Sequence, residues 1–422
     1  MLEILVNAYA CGPEIGSEPG MAWNWCINLA NHCKLHIITE GEFRDKIEAA
    51  LPNYPQSKNM TFYYNPVSDK IRKMCWNQGN WLFYRHYKKW QYKTYLIASE
   101  IVKKEPIAIL HQLNMVGFRE PGYLWKINHL PFVWGPVGGF IHFPEKYLQN
   151  LPFKTKQFIK LKNRLNHIQA KYSSRIQTAA KEADILIGAT QDSMKAFDKY
   201  FHKKGILISE TGCYLNSDFN ENTDRFTNTT DFNILWVGRL DFFGKQLPLA
   251  IKIIEKVKHL QGLHFHIIGD GNQEYTEEQK HLTRQLGIEN ICTWHGKIPH
   301  QQVQTLMKQG QLFLFTSLSE ATSSVTLEAL QNQLPVLCFN ACGQGNVIDD
   351  STGRKVEISN PQKSISDFAQ QITFLYNNRD VLLNCSKNCR NKAVELSWEN
   401  KAKLMVELYS AELVKFNNKN QN

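Results

Sequence analysis

The chain has 422 residues, 43% of them hydrophobic and 12% aromatic, with a formal net charge of +10. That length exceeds one ordinary core and predicts two domains, and the hydrophobic and aromatic content excludes a disordered chain. The charge is lopsided, with 28 Lys and Arg against 17 Asp and Glu in Met1 to Gly212, and 21 against 22 in the remainder. An excess confined to one half fits solubility, an anionic acceptor, nucleic acid or an anionic membrane. Met1 leads straight into the apolar run Leu2 to Val6, so no secretory signal is expected, and no apolar run is long enough to span a bilayer. The ten cysteines form no C-x-x-C pair, and Cys338/Cys342 and Cys385/Cys389 have no matching second half. They read as reduced cytosolic thiols rather than as disulfides or a zinc site.

Strand-like apolar runs alternate with helical patterns through the first half: Leu2 to Tyr9, Lys34 to Thr39, Ile107 to Leu113, Pro131 to Val137, Ala183 to Thr190 and Gly205 to Ser209. This rhythm predicts a parallel sheet with helices on its faces. After Thr211 the chain turns polar, LNSDFNENTDRFTNTTD, and restarts with Asn233 to Val237, which marks a domain boundary. The second half repeats the pattern with Leu263 to Ile268, Ile291 to His295, Gln311 to Phe315, Pro335 to Phe339 and Arg354 to Ile358. Helices are expected around Ser364 to Asn377, Val381 to Glu395 and Trp398 to Val414, with a frayed polar tail from Lys415. The expected class is α/β, with domains over 1–212 and 228–396 and a last helix over 397–414.

Several loops carry residues suited to chemistry. The first, CGPEIGSEPGMAWNW, places Gly12, Gly16 and Gly20 before a helix, and glycines let a backbone approach a ligand that a side chain would block. It is not the G-x-G-x-x-G fingerprint, so alone it is a weak phosphate signal. His111 follows the apolar run Ile107 to Leu110, the kind of strand end where open α/β sheets hold ligands. As a lone histidine it could equally be a satisfied core residue. WGPVGGFIH supplies Gly138 and Gly139 and the rival His142. In WVGRLDFFGKQ, Arg239 and Lys245 stand six apart beside Gly238; two fixed cations at a glycine-bearing loop suit a diphosphate, Arg as a fork and Lys as a point charge.

Phe313 to Val336, FLFTSLSEATSSVTLEALQNQLPV, reads as a buried strand over Leu312 to Phe315, a turn, and a helix that stops before a proline. Ser317, Ser319, Thr322, Ser323 and Ser324 crowd the turn, and small oxygen-bearing side chains favour a helix start whose amides can hold an anion. Glu320 and Glu328 flank it as E-x7-E. Taken alone the pair fits a dipole partner and a solvated helix residue as well as a ligand site.

SEATSSVTLEALQNQLPV, followed by Gly343 and DDSTGRKV, resembles the signature of retaining glycosyltransferase family 4, apart from Gln333 where that family usually has Gly. A helix ending at Gln333 with positive φ costs roughly 1 kcal/mol. The resemblance implies the GT-B fold, two Rossmann-like domains facing each other across a cleft, with the acceptor bound by the first and a nucleoside diphosphate sugar by the second. It implies a last helix that crosses back to the first domain. Arg239 and Lys245 match the family's R-x5-K pair, and both motifs occur in the family's order. It assigns Gly16 and Gly139 to loops facing the donor and His111 to the donor sugar. Gly238, Gly269, Ser323, Ser324 and Val325 would line the diphosphate site, Ile298 the base, Glu320 the sugar hydroxyls and Glu328 the ribose. No D-x-D motif is present, so neither a catalytic metal nor another cofactor is expected.

The expected function is retaining transfer of a sugar from a nucleoside diphosphate to a saccharide acceptor, lipid-linked, in surface polysaccharide synthesis. Two alternatives remain. An epimerase or phosphorylase on the same fold is separated by consumption of donor without acceptor. A nucleic-acid surface would show steep salt dependence, and explains none of the ordered motifs of the second domain. Two basic stretches also carry apolar stripes: Phe83, Tyr87, Trp90, Thr94, Ile97 and Ile101, then Phe158, Leu161, Leu165, Ile168, Tyr172 and Ile176. Both stripes are expected to pack on the sheet. Leu151 to Arg175 carries seven Lys or Arg and no acid, which suggests peripheral binding to the cytoplasmic face of an anionic membrane.

Overall fold

Strands buried on both faces read as mainly apolar runs, as Leu312–Phe315 and Val336–Phe339 do here, while others carry polar side chains such as Glu3, His36 and His111. The structure, a computed structural model, describes residues 1–76, 82–149, 151–215, 224–227, 230–240, 243–321 and 323–421. The first sheet contains β1 (Leu2–Ala8), β2 (Cys33–Thr39), β3 (Met60–Tyr64), β4 (Ile109–Asn114), β5 (Phe132–Val137), β6 (Ile185–Gly188) and β7 (Ile206–Leu207). Its order is β3-β2-β1-β4-β5-β6-β7, with every pairing parallel. The second sheet contains β8 (Phe232–Val237), β9 (Leu263–Ile268), β10 (Cys292–Gly296), β11 (Leu312–Phe315), β12 (Val336–Phe339) and β13 (Gly353–Val356). Its order, β10-β9-β8-β11-β12-β13, is likewise parallel. In both sheets the order reverses beside the first strand, at β1/β4 and at β8/β11. This is the doubly wound topology that leaves a ligand crevice at the carboxyl ends of those strands.

The chain divides into two compact units, one of Met1–Phe140, Arg164–Thr211 and Trp398–Asn422, the other of Ile141–Asn163 and Gly212–Ser397. The junction between the units falls between Thr211 and Gly212, while residues 141–163, expected in the first domain, belong to the second unit. Phe143, Tyr147, Leu148 and Ile159 are buried in the same cluster as Phe232, Ile234 and Leu314 of the second sheet. The Tyr147 hydroxyl lies 2.6 Å from Ser364 Oγ, and the Phe143 ring meets Phe243 edge-on. Their aromatic side chains thus commit residues 141–163 to the second unit. In the first unit the helix Trp398–Gln421 completes the core with Trp398, Ala402, Met405 and Tyr409. It continues to Gln421, so the tail expected to fray from Lys415 is helical.

The edge strand β3, short and exposed along one side, was not foreseen. The two basic stretches part company. On the helix Phe83–Lys104 the residues Phe83, Tyr87, Trp90, Thr94 and Ile101 are buried as expected. On the helix Phe153–Tyr172 the buried side chains are Ile159, Asn166 and Ala170. Phe158, Leu161, Ile168 and Tyr172 of the expected stripe are exposed, a correction that leaves an apolar face on the outside.

Candidate functional site

At the β8/β11 switch point the two strand exits are laced together. Leu318 N–H donates to the Gly244 carbonyl at 2.8 Å, Thr316 Oγ1 to the Lys245 carbonyl at 2.8 Å and Ser317 Oγ to the Gly244 carbonyl at 3.2 Å. Trp236 Nε1 in turn donates to Thr316 Oγ1 at 3.1 Å. This lacing brings Lys245 Nζ to 2.5 Å from Glu320 Oε1, with the two side chains 14% and 19% exposed. The ammonium also lies 5.0 Å from the centre of the Phe315 ring, a cation–π geometry that holds it over the end of β11. Lysine and glutamate from separate strand exits thus share one partly screened spot, while Arg239, two residues after β8, is exposed.

Glycine is needed where β8 and β9 end. Gly269 has φ of +137°, and a Cβ there would lie 1.9 Å from the Gly238 carbonyl oxygen. The strand ends meet through Gly238 N–H to Ile268 O at 3.0 Å and Gly269 N–H to Gly296 O at 2.9 Å, so bare backbone faces the crevice. Ile298 follows β10 in the loop before the helix His300–Gln309 and is partly buried.

The helix after β11 spans Ser324–Gln331 with Ser323 as N-cap, and the Ser323 side chain makes no capping bond. Thr326 N–H bonds the Ser323 carbonyl at 3.1 Å, and a helix N-terminus of this kind favours an anion. Ser323 and Val325 are buried and Ser324 is exposed; Thr322 lies outside the described residues. Glu328 is held by the neighbouring helix, its Oε2 accepting from Gln304 Nε2 at 3.0 Å and lying 3.2 Å from His300 Nε2. Sequence reasoning missed His300 and Gln304; the i, i+4 spacing of polar side chains in HQQVQ was the available signal. Gln333 has φ of +53°. The helix ends in a paired closure, Leu334 N–H to Ala329 O and Gln333 N–H to Leu330 O, the Schellman arrangement. The Gln333 carbonyl is taken by Arg225 Nη2 at 2.6 Å and Ser386 Oγ at 2.8 Å, bonds that offset the backbone cost.

In the first unit the expected residues fare differently. His111 is a correction. The strand runs on to Asn114, so His111 sits inside β4, fully buried. Its Nδ1 lies 2.5 Å from the Tyr409 hydroxyl and its Nε2 2.6 Å from the Gly135 carbonyl. Burial pulls its pKa down to about 4, against the opposing pull of the Gly135 carbonyl. With both nitrogens engaged in the core, it sits as a satisfied packing histidine rather than at the strand end where it was expected. His142 is exposed and belongs to the second unit. Gly16 is exposed with open space about its Cβ position, whereas a Cβ on Gly20 would lie 1.7 Å from the Ile15 carbonyl oxygen. Gly139 has φ of +85°, and its carbonyl accepts from Asn166 Nδ2 at 3.4 Å.

The helix Ser17–Leu29 that follows Gly16 holds a residue not singled out from sequence, Glu18, whose two carboxylate oxygens each accept from Val116 N–H at 3.1 Å. Burial pushes its pKa up to about 8; the Val116 amide opposes this and the like charge of Glu210 adds to it.

Residues 218–392 match the sequence profile of the family described as glycosyl transferases group 1. The matched residues lie within the second unit. Among curated proteins, the phosphatidylinositol N-acetylglucosaminyltransferase GPI3 subunit of Saccharomyces cerevisiae (strain YJM789) is 26% identical over 195 residues, 46% of this chain and 42% of that protein. The chain thus matches less than half the length of that curated relative. Among solved structures, Anabaena Alr3699/HepE in complex with UDP aligns with a TM-score of 0.58 at 14% identity, over 97% of this chain and 100% of that one. The lipopolysaccharide outer core galactosyltransferase WaaB aligns with a TM-score of 0.60 at 14% identity, over 98% of this chain and 99% of that one. These likenesses agree with the two sheets in giving the chain the GT-B fold. The residues matched by that profile include Arg239, Lys245, Glu320 and Glu328. No helix among the described residues is long and apolar enough to cross a membrane.

Proposed function

We propose that the protein is a retaining glycosyltransferase of family 4 that moves a sugar from a nucleoside diphosphate to a saccharide acceptor. The observation that carries this is the Lys245–Glu320 pair at the β8/β11 switch point, with Arg239 on the same exit loop as Lys245. In the reaction the bond between the anomeric carbon and the diphosphate oxygen breaks. The acceptor oxygen bonds to that carbon from the same face, and its proton passes to the departing diphosphate, so no protein base is required. The protein's part is electrostatic. Arg239, Lys245 and the amides at the start of Ser324–Gln331 stabilise charge on the leaving diphosphate, a preorganised effect of the kind that dominates many enzymes. Glu320 holds sugar hydroxyls and, through its bond to Lys245, keeps that ammonium aimed at the crevice; Glu328 holds the ribose. This chemistry uses no metal and no other cofactor.

The acceptor is assigned to the first unit and is a lipid-linked saccharide of surface polysaccharide synthesis, met at the inner face of the cytoplasmic membrane. Two observations support a membrane partner over nucleic acid. Phe153, Phe158, Leu161 and Tyr172 are all at least half exposed, and they alternate with Lys154, Lys156, Lys160, Lys162 and Arg164. Basic residues near an anionic leaflet contribute about 1 kcal/mol each, and exposed aromatic and leucine side chains add apolar burial. The curated relative, by its name, acts on a phosphatidylinositol. Flotation should recover the protein with anionic vesicles over neutral ones, with loss on replacing Lys156, Lys160, Lys162 and Arg164 by Gln; equal recovery contradicts the membrane assignment. The enzymatic assignment is tested by thermal stabilisation with UDP-, GDP- and ADP-sugars. A true donor at a hundred times its dissociation constant adds about 2.7 kcal/mol, and no stabilisation by any of them contradicts it.

A further inference from the structure

At the amino-terminal edge of the first sheet, opposite the edge where ligands of this topology bind, three metal-ligating side chains meet. Glu3 is the second residue of β1 and His36 the fourth of β2, and the register pairs Glu3 with Lys34 and Leu5 with His36. Side-chain alternation therefore sets Glu3, Leu5, Lys34 and His36 on one face. That face is otherwise an apolar layer of Leu5, Ile38, Ala98 and Ile101. Glu105 arrives from the end of the helix Phe83–Lys104. Its own N–H donates to Ile101 O at 2.9 Å, its carbonyl accepts from Ile107 N–H at 2.8 Å, and Ala108 N–H bonds Glu3 O at 2.8 Å. The position of the third group is thus fixed from both sides.

We infer that Glu3, His36 and Glu105 form a binding site for one divalent transition-metal cation of the zinc class. One imidazole nitrogen and two carboxylate oxygens, one from each residue, all lie within 4.8 Å of one another. Tetrahedral coordination at about 2.0–2.1 Å separates ligand atoms by roughly 3.3 Å, so shifts of about 1 Å or less in side chains close the set. Two further features point the same way. His36 is 1% exposed within the apolar layer, its Nε2 lies 2.9 Å from Glu3 Oε2 and its Nδ1 lies 3.2 Å from the Tyr63 hydroxyl. A hydrogen-bonding partner on the remote nitrogen is how ligating histidines are oriented. A cavity of about 480 Å³, lined by Tyr63, Ile97, Ile101, Lys104 and Glu105, opens beside the cluster, which gives a path for the ion and room for a water as fourth ligand. Lys34 Nζ, 3.1 Å from Glu3 Oε2 with its side chain 41% exposed, competes with the cation for the Glu3 carboxylate and would turn out to water when the ion binds. The ion would pin β1, β2 and the end of the long helix together, remote from any step of sugar transfer.

The test is titration of the metal-stripped full-length protein with Co²⁺, whose spectrum separates nitrogen and oxygen ligation from binding to any of the ten cysteines. The expected result is one equivalent bound without a thiolate charge-transfer band, displaced by Zn²⁺, with a raised unfolding temperature. Glu105→Gln, at a partly exposed position, should weaken Co²⁺ binding at least about tenfold, as loss of a ligand or its support does. Lys34→Gln should tighten it, an outcome a misfolded variant would not give. Absence of binding, a thiolate band, or affinity unchanged in both variants would overturn the inference.

Discussion

The loops that leave β1 and β8 occupy equivalent places in their sheets, each beside the strand where the order reverses, yet only one was readable. From β8 the chain carries two cations at fixed spacing, and the partner exit from β11 carries two carboxylates. The fold then joins Lys245 to Glu320. From β1 the chain carries glycines, and the partner strand β4 carries one histidine. There Gly16 stands in open space and His111 faces the core. Charged groups that occur in complementary pairs constrain each other, because a half-buried ammonium needs a carboxylate or a ligand. A single histidine has no such requirement, since it can be satisfied by a tyrosine and a carbonyl.

The most forceful way to break this contrast is to remove the cations. Arg239→Ala and Lys245→Ala should each lower turnover by about tenfold or more, since each removes a charge-assisted contact to the leaving group. A double variant within a factor of about three of the wild type would reject the assignment. The carboxylates sharpen it further: Glu320→Ala should act chiefly on turnover, and Glu328→Ala chiefly on donor KM. Equal effects on both constants in both variants would merge the two roles.

The first unit should answer with stability rather than catalysis. His111→Gln should cost about 1–3 kcal/mol through unsatisfied buried partners, with turnover within about threefold of wild type. Its pH signature has a definite sign. The folded pKa of His111, about 4, lies below the ordinary 6.5, so the unfolded chain binds the proton first and stability falls as pH drops through that window. The stability gap between wild type and variant should therefore narrow toward pH 4 in urea titrations. Glu18 has the opposite sign. Its pKa is raised from 4.5 to about 8, so the unfolded chain loses the proton first and stability falls as pH rises between those values. Glu18→Gln should be the more stable protein at pH 8 relative to its rank at pH 5; an unchanged rank would remove the raised pKa from the account.

Much of the fold was legible because a parallel sheet writes each strand as an apolar run. Eleven of its strands coincide within a few residues with runs such as Leu263 to Ile268, and β7 reduces to Ile206–Leu207 within the run Gly205 to Ser209. β3 escaped because an edge strand, covered on one side only, needs no such run. The membership of residues 141–163 was not legible, because it depends on which core receives Phe143 and Tyr147, a long-range fact that no local pattern carries. The stripe on Phe153–Tyr172 was legible as a stripe but not as an exposed one, since spacing alone does not say which helix face meets the protein. The R-x5-K and E-x7-E groups stood out by order and spacing, and the fold brings Lys245 and Glu320 of them together. The contributions of His300, Gln304 and Glu18 depend on contacts between segments far apart in the chain.

The central claim is that Lys245 and its neighbours in the second unit hold the nucleoside diphosphate while His111 serves the core, and calorimetric titration of UDP, GDP and ADP into wild type, Lys245→Ala and His111→Gln tests it most directly. The account predicts that one of the three nucleotides binds the wild type, that His111→Gln keeps the affinity within about threefold, and that Lys245→Ala weakens it by about tenfold or more, the loss of one charge-assisted contact. Equal binding by wild type and Lys245→Ala, or loss of binding in a folded His111→Gln, would contradict it.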